Sequence, residues 1–353
     1  MRKLSLLFVL IILFASCQNM PKNEATLNGN IKAEKLDSVQ VKYHKNDYLE
    51  EPIIKTIAVD DQGNFSTTFT LDEIKEYTVQ ITPDAKIEMM LKPGWNTTVH
   101  IEMSNSQKAD TVYFSNEGAT ENEVYSDIYN LSFKIYDFYH EKPDRIIHVL
   151  DSLEGEMKAL ISKNKESLDE EFRKMLENNI YYSKVMRWKG YQRFAQRKGH
   201  NLDTAFVKDY GSELKSGISL NDPELITSSF FRSYLEDTLG TAARNEIDLE
   251  ALKEQYKSQN ELYSAYSESH TKEMFKVTDS LITQPEIKKY VYYHTMLRNM
   301  DVNALETLKG IYNNQFKQLI NDEYKREVIE SKLANLEKLT PGKPAPEFAY
   351  PDQ

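Results

Sequence analysis

Residues 53–70 read IIKTIAVDDQGNFSTTFT, and this stretch decides the fold of the N-terminal part of the chain. Phe65, Thr67 and Phe69 alternate with polar neighbours, after a polar run at 60–64 that contains Gly63. Alternation with a period of two turns one face of a strand toward a core, and glycine tolerates the positive φ of a tight turn. The stretch therefore predicts two strands joined by a hairpin turn.

The same alternation extends over residues 25–115. It recurs in four further segments, 39–43, 77–81, 87–91 and 97–103. Pro83-Asp84 and Pro93-Gly94 fall between these segments, as turn residues do. Strands at this spacing indicate an antiparallel β-sandwich over residues 25–115, because a single sheet would leave one apolar face in water.

From Gly118 onward the apolar residues recur at steps of three and four, which is the helical period. The first stripe consists of Val124, Ile128, Leu131, Ile135 and Phe138. Asp222-Pro223 has the form of an N-cap followed by proline, and predicts a helix that runs through Leu235. The sequence predicts an all-α domain over residues 118–339, with a packing boundary at 115–118. The fold class is then α+β multidomain.

The N-terminus has the organisation of a secretory signal peptide, residues 1–16, with Arg2 and Lys3 ahead of an apolar run. Leu13-Phe14-Ala15-Ser16-Cys17 resembles the lipobox of bacterial lipoproteins, in which the cysteine becomes the lipidated N-terminus. The resemblance implies a membrane anchor on Cys17, a polar tether over 17–24 and a place in the cell envelope. The residue after Cys17 is Gln18, whereas an aspartate at this position retains some lipoproteins at the inner membrane. The glutamine therefore favours the outer membrane as the location of the anchor.

The C-terminal segment, residues 340–353, carries a run that resembles the entry to thioredoxin-like domains of the TlpA and peroxiredoxin type. The matching residues are Gly342, Ala345, Pro346, Phe348 and Asp352. Leu91-Lys92-Pro93-Gly94-Trp95 resembles the L-x-P-G-D turn of the β-domain that precedes such domains, with Trp95 in place of aspartate. The resemblance is to thiol-disulfide reductase lipoproteins of Gram-negative envelopes, built as lipobox, β-domain, helical middle and thioredoxin domain.

This resemblance supplies no catalytic residue to the chain. The family's Cys-x-x-Cys lies beyond the first strand of the thioredoxin domain, and the sequence ends at Gln353 before that strand. Cys17 is the only cysteine, so its acylation would leave no thiol for exchange. We therefore expect residues 340–353 to be a linker and the start of a truncated thioredoxin-like domain.

Other chemistries find little support in the sequence. With 44 basic and 55 acidic residues, the net charge of −11 disfavours nucleic acid as a partner. No nucleotide-binding glycine loop or serine-hydrolase motif is present. His270 and Glu273 lie one helical turn apart and offer at most two metal ligands, whereas zinc needs three or four. A hairpin turn explains the acidic run at 60–64 better than calcium does. No catalytic, cofactor or metal site is predicted.

Two functions remain open. The first is a non-catalytic accessory region of a thioredoxin-family envelope protein, which recruits envelope protein substrates. The second is a self-contained lipoprotein module that binds a peptide, a protein or a glycan. The chain has 22 tyrosines and 15 phenylalanines, and exposed tyrosines would mark a groove for such a partner.

Overall fold

The computed structural model describes residues 23–33, 36–104, 108–340 and 342–343. The predicted signal peptide, the predicted lipidation site at Cys17, and most of the predicted tether and of the C-terminal segment lie outside these residues. Within the described residues, no helix is long and apolar enough to cross a membrane.

The strands lie in the N-terminal part of the described chain. They are β1 (Glu24–Lys32), β2 (Ser38–Tyr43), β3 (Ile53–Ala58), β4 (Asn64–Thr70), β5 (Lys75–Gln80), β6 (Lys86–Leu91), β7 (Asn96–Glu102) and β8 (Thr111–Asn116). They form two four-stranded sheets, in the orders β4-β1-β7-β8 and β3-β2-β5-β6. All pairs are antiparallel except β1 with β7, which is parallel.

The sheets share one core. Strands β1, β4 and β7 bury every second side chain along nearly their whole length. The fully buried members of the core include Leu27, Val41, Tyr77, Val79, Met89 and Val99. Each large apolar side chain removed from water contributes about 1.5–3 kcal/mol, so this alternation is the main force that holds the sheets face to face.

The hairpin predicted for residues 53–70 is wrong. The run at 60–64 does turn the chain, with Gly63 at φ +82° and the Asp60 carboxylate accepting the Asn64 N–H at 2.8 Å. The two flanking strands nevertheless join different sheets, because β3 pairs with β2 and β4 pairs with β1. The turn reverses the direction of the chain through local interactions. Which strand β4 pairs with depends instead on residues distant in sequence.

Helices make up the remainder of the described chain. The α-helices are α1 (Ala119–Phe133), α2 (Pro143–Lys163), α3 (Glu170–Lys198), α4 (Ala205–Ser216), α5 (Ser229–Asn245), α6 (Leu249–Gln255), α7 (Gln259–Leu281), α8 (Pro285–Arg298), α9 (Leu305–Ile311), α10 (Lys317–Leu319) and α11 (Glu323–Lys338). A π-helical turn, Tyr312–Phe316, joins α9 to α10, and 3₁₀ turns occur at Lys134–Phe138, Pro223–Thr227 and Val302–Ala304. Strands followed by helices confirm the predicted α+β fold class.

The helix predicted from Pro223 through Leu235 is two elements. A 3₁₀ turn begins at Pro223 with Asp222 as its N-cap, and Ser228 then adopts an extended conformation. The Ser228 hydroxyl accepts the Phe231 N–H at 3.1 Å and donates to the Asn179 side-chain oxygen at 2.7 Å. Ser228 therefore caps α5 instead of continuing a helix.

The molecule divides into two compact units whose limits do not follow the order of the chain. The first unit contains β1, β2, Pro52–Leu131 and Ala159–Arg173. The second contains Asn46–Glu51, Ser132–Lys158 and the chain from Lys174 onward. The strand-to-helix change at 115–118 thus falls inside the first unit, because α1 bonds directly to the strand β6.

Candidate functional site

The strand β6 lies at the edge of its sheet, and part of its free edge opens into a groove. The Ile81 N–H donates to the Ala85 carbonyl at 3.0 Å, so the backbone groups of Ala85 face the neighbouring strand. Antiparallel pairing alternates this direction along the strand. The backbone groups of Lys86, Glu88 and Met90 therefore face outward, away from β5.

An asparagine on α1 occupies the place of a neighbouring strand at Met90. The Met90 N–H donates to Asn122 Oδ1 at 2.7 Å, and Asn122 Nδ2 donates to the Met90 carbonyl at 3.0 Å. Asn122 Nδ2 also donates to the Gly118 carbonyl at 2.9 Å, and the side chain is buried. The two bonds to Met90 have the donor and acceptor pattern of an antiparallel strand pair.

The backbone groups of β6 that face outward at Glu88 and Lys86 have no partner comparable to Asn122 among the described residues. Among the described residues, no group bonds the outward backbone N–H or C=O of Lys86 or Glu88. These two residues instead line a cavity of about 470 Å³ within the first unit. Its lining comes from β6, the edge strand β8 and α1, and consists of Lys86, Ile87, Glu88, Val112, Phe114, Glu123, Tyr125, Ser126, Asp127, Tyr129 and Asn130. We call this cavity the β6 groove.

The lining of the β6 groove is acidic and aromatic. It includes the carboxylates of Glu88, Glu123 and Asp127, and Lys86 is the one cation among the lining residues that the structure describes. Tyr125 and Tyr129 lie with ring centroids 6.1 Å apart, and Tyr129 is 40 % exposed. Negative charge beside exposed aromatic rings favours cationic side chains, which interact with both.

Burial affects the carboxylate closest to the open backbone. It raises the pKa of Glu88, and the charge of Glu76 adds to this rise, against a 2.7 Å hydrogen bond from the Thr78 hydroxyl. A cation placed in the groove would oppose the desolvation and favour the ionised Glu88. Glu88 is thus poised to interact with a basic ligand.

The second unit contains a buried polar cluster. His294 Nδ1 lies 2.9 Å from Asp47 Oδ2, and His294 Nε2 lies 3.2 Å from Glu236 Oε2. Glu236 also accepts hydrogen bonds from the hydroxyls of Tyr48 at 3.1 Å and Tyr290 at 2.8 Å. His294 and Asp47 are almost wholly buried. Every member of this cluster therefore has a partner of opposite charge or polarity.

The imidazole of His294 is a structural cation rather than a catalytic base. Burial of the ring opposes its protonation, but the two carboxylates outweigh this and raise the pKa of His294 to about 9. Burial likewise opposes ionisation of Asp47, whereas the hydrogen bond and charge of His294 lower its pKa overall. His294 Nδ1 is hydrogen-bonded to Asp47, whereas Nε2 has the Glu236 carboxylate 3.2 Å away as an ion-pair partner but forms no hydrogen bond with the described residues. A ring that is protonated at neutral pH has no free lone pair with which to accept a proton from a substrate.

The two residues that the sequence singled out for metal binding have different partners. The His270 ring stacks on Tyr266 with ring centroids 6.0 Å apart, whereas the Glu273 carboxylate pairs with Lys276 at 2.5 Å. Among the described residues, no group of three or more His, Cys, Asp or Glu side chains is placed to hold a metal ion. In the acidic run at 60–64, the Asp60 carboxylate hydrogen-bonds within its own turn.

Three aromatic side chains of α1 and of the 3₁₀ turn that follows it lie in two environments. Tyr125 lines the β6 groove, whereas Phe133 and Tyr136 lie over a buried guanidinium, with centroids 5.2 and 4.9 Å from Arg187 Cζ. Sequence reasoning expected tyrosines at a partner groove but did not identify Asn122 or Glu88. Neither residue belongs to a motif, and only the sheet order shows that β6 is an edge.

Comparison of the chain with protein-family models, curated proteins and solved structures found no match.

Proposed function

We propose that this chain is a non-catalytic recognition region of a lipid-anchored envelope protein, which recruits an extended polypeptide segment into the β6 groove. The observation that carries the proposal is the outward backbone of Lys86 and Glu88, which continues the row that Asn122 occupies at Met90. An extended segment adds to such an edge by main-chain hydrogen bonds. The lining side chains then select its sequence.

The chemistry of the lining defines the segment. Three carboxylates and one ammonium give the lining a net negative charge, which complements a basic strand. The exposed ring of Tyr129 and the half-buried ring of Tyr125 offer faces to apolar or cationic side chains. Since side chains of a strand alternate between faces, a segment with basic and apolar residues in alternation fits the groove.

The wider setting is supported by sequence features. The signal peptide of residues 1–16 and the lipobox ending at Cys17 support an envelope lipoprotein anchored by its lipid. The order of a β-domain and then helices agrees with the thiol-disulfide reductase lipoproteins that the sequence resembles. In that setting the chain recruits protein substrates for a thioredoxin-like domain.

A self-contained lipoprotein binding module is the second candidate, and the same groove favours it. The two candidates differ only in whether a thioredoxin-like domain is joined to this chain. Reading the gene beyond the codon for Gln353 separates them. An in-frame Cys-x-x-Cys supports the first candidate, and a stop codon supports the second.

Peptide titration tests the recruiting function. The chain with Cys17→Ser is titrated calorimetrically with a blocked peptide of alternating lysine and valine residues. We expect binding, and we expect N-methylation of alternate backbone nitrogens to weaken it about tenfold, because each lost main-chain hydrogen bond contributes about 1 kcal/mol. A glutamate-valine peptide should not bind.

Matched variants locate the binding. Asp127→Asn removes a carboxylate from the groove, and Asp61→Asn removes one from the turn at 60–64 on the same unit. We expect only Asp127→Asn to weaken binding of the lysine-valine peptide. Equal binding of the N-methylated peptide, or equal effects of the two variants, contradicts strand addition at β6.

A further inference from the structure

The second unit contains a cavity of about 240 Å³ that the proposed function does not use. It lies among α5, α7 and α8, and we call it the α5–α8 cavity. Its polar and charged lining includes Glu236, Arg244, His270, Thr295, Arg298 and Asn299. Leu239, Met274 and Val291 form an apolar part of the wall, and all three are buried.

The carboxylates at the α5–α8 cavity are already neutralised. Asp237 pairs with Lys189 at 2.6 Å and with Arg193 at 3.0 Å. Glu236 pairs with the protonated His294 at 3.2 Å, so Arg298, 3.6 Å away, shares this carboxylate.

Arg244 has a neutral partner rather than a carboxylate. Its Nη2 donates to the Thr241 hydroxyl at 2.9 Å. Among the described lining residues, the charge of Arg244 therefore has no carboxylate within ion-pair distance.

Two further observations show a site suited to an anion. Burial lowers the pKa of His270, and the charges of Arg244 and Arg298 lower it further, although hydrogen bonds to Asn299 and the Gly240 backbone oppose this. The second observation is independent of charge. Thr295 is 1 % exposed, and its hydroxyl has no hydrogen-bond partner among the described residues.

A buried hydroxyl without a partner costs about 1–3 kcal/mol unless a ligand or water satisfies it. Thr295 belongs to the lining of the α5–α8 cavity, so a ligand there is within reach of this group. An anion in the cavity would accept a hydrogen bond from the Thr295 hydroxyl. Its negative charge would also compensate the positive charges of Arg244 and Arg298.

We propose that the α5–α8 cavity binds a short aliphatic carboxylate. Arg244 and Arg298 pair with the carboxylate group, as guanidinium does with its planar oxygens, and the Thr295 hydroxyl donates to it. The hydrocarbon part lies against the apolar wall. This wall favours an aliphatic carboxylate over inorganic phosphate, which has no group to place there. The cavity is smaller than typical ligand pockets, so the ligand is small or is the end group of a larger molecule.

The test titrates the chain carrying Cys17→Ser with sodium butyrate, and with inorganic phosphate for comparison. We expect butyrate to bind and phosphate to bind at least about tenfold more weakly. Arg298→Gln should weaken butyrate binding about tenfold, because it removes a charge-assisted hydrogen bond. Arg145→Gln, which removes an exposed charge at the start of α2, is the matched control and should leave binding unchanged.

Two further readouts separate binding from a structural role. Thr295→Val should weaken butyrate binding while leaving the unfolding midpoint unchanged or raised, because the hydroxyl has no partner to lose. Nuclear magnetic resonance should show the pKa of His270 rising on butyrate binding, as the anion offsets the charges of Arg244 and Arg298. Absence of butyrate binding, or equal binding by Arg298→Gln and wild type, overturns the proposal. Neither outcome affects the groove at β6.

Discussion

His294 on α8 and Asp47, from the short segment between β2 and β3, form a buried ion pair across 247 residues of sequence. The Nδ1–Oδ2 distance is 2.9 Å, and Glu236 holds the other ring nitrogen. A buried ion pair gives weak net stabilisation, but the loss of one member leaves a charge buried without compensation. The pair therefore fixes the position of residues 46–51 against α8 in the same unit.

Stability should depend on pH through His294. Its folded-state pKa, about 9, lies above the unfolded value of 6.5. The protonated ring therefore stabilises the fold fully below pH 6.5, and this contribution is lost as the pH rises through about 9. Urea unfolding at about pH 6 and about pH 10 measures the loss, which should be on the order of 2–3 kcal/mol. In His294→Gln this difference should largely disappear, whereas exposed His140→Gln should retain it.

Asn122→Ala should destabilise the first unit. The substitution leaves the N–H and C=O of Met90 without their partners, and each such buried group costs about 1–3 kcal/mol. We expect a lower denaturant midpoint and faster amide exchange at Met90. Asn130→Ala on the same helix is the control, because Asn130 is exposed and its loss should change stability by at most about 0.5 kcal/mol. Equal midpoints for the two variants would contradict the role of Asn122.

Gly63→Ala and Gly94→Ala should differ although both glycines have positive φ, +82° and +89°. A Cβ at Gly63 would lie 2.1 Å from the Ile31 carbonyl oxygen, whereas a Cβ at Gly94 meets nothing within 4 Å. Gly94→Ala should therefore cost only the backbone strain, about 1 kcal/mol, and Gly63→Ala clearly more. Thermal unfolding of the two variants measures the difference. Equal shifts would mean that the contact with Ile31 relaxes without cost.

Cys17→Ser should release the protein from membranes. Acyl chains contribute about 0.8 kcal/mol per buried CH₂, and a protein that carries several of them is held firmly. Phase separation in Triton X-114 should place the wild-type protein in the detergent phase and the variant in the aqueous phase. Ser16→Ala, which keeps a small residue before Cys17, should partition as wild type does. Unchanged partitioning of Cys17→Ser would refute lipidation.

The elements of the fold were predictable because their patterns are local. Alternation at Phe65, Thr67 and Phe69 reflects one buried face of a strand, and the step of three and four after Gly118 reflects one buried face of a helix. One exception is also local. The Ser228 hydroxyl accepts the backbone N–H of Phe231, three residues on, and so interrupts a stripe that periodicity alone would continue.

The candidate sites were not predictable from these patterns. Glu88 and Asn122 become a groove only because β6 ends its sheet, and sheet order depends on pairing between distant strands. Asp47 and His294 lie 247 residues apart, and no sequence pattern indicates that the fold places them in contact. Tyr125 carried a signal only as one of 22 tyrosines, and that excess did not distinguish groove from core.

The sequence by itself determined the two kinds of secondary structure, their order along the chain and the absence of a thiol between Cys17 and Gln353. Hydrophobic period and residue identity act over a few neighbours, so a single chain displays them directly. Only the tertiary structure decided that β3 and β4 enter different sheets, that α1 belongs with the strands, and that Arg244, Thr295 and Arg298 share a cavity. These features depend on contacts between residues far apart in sequence. The free energies of such contacts cannot be inferred from a local sequence pattern.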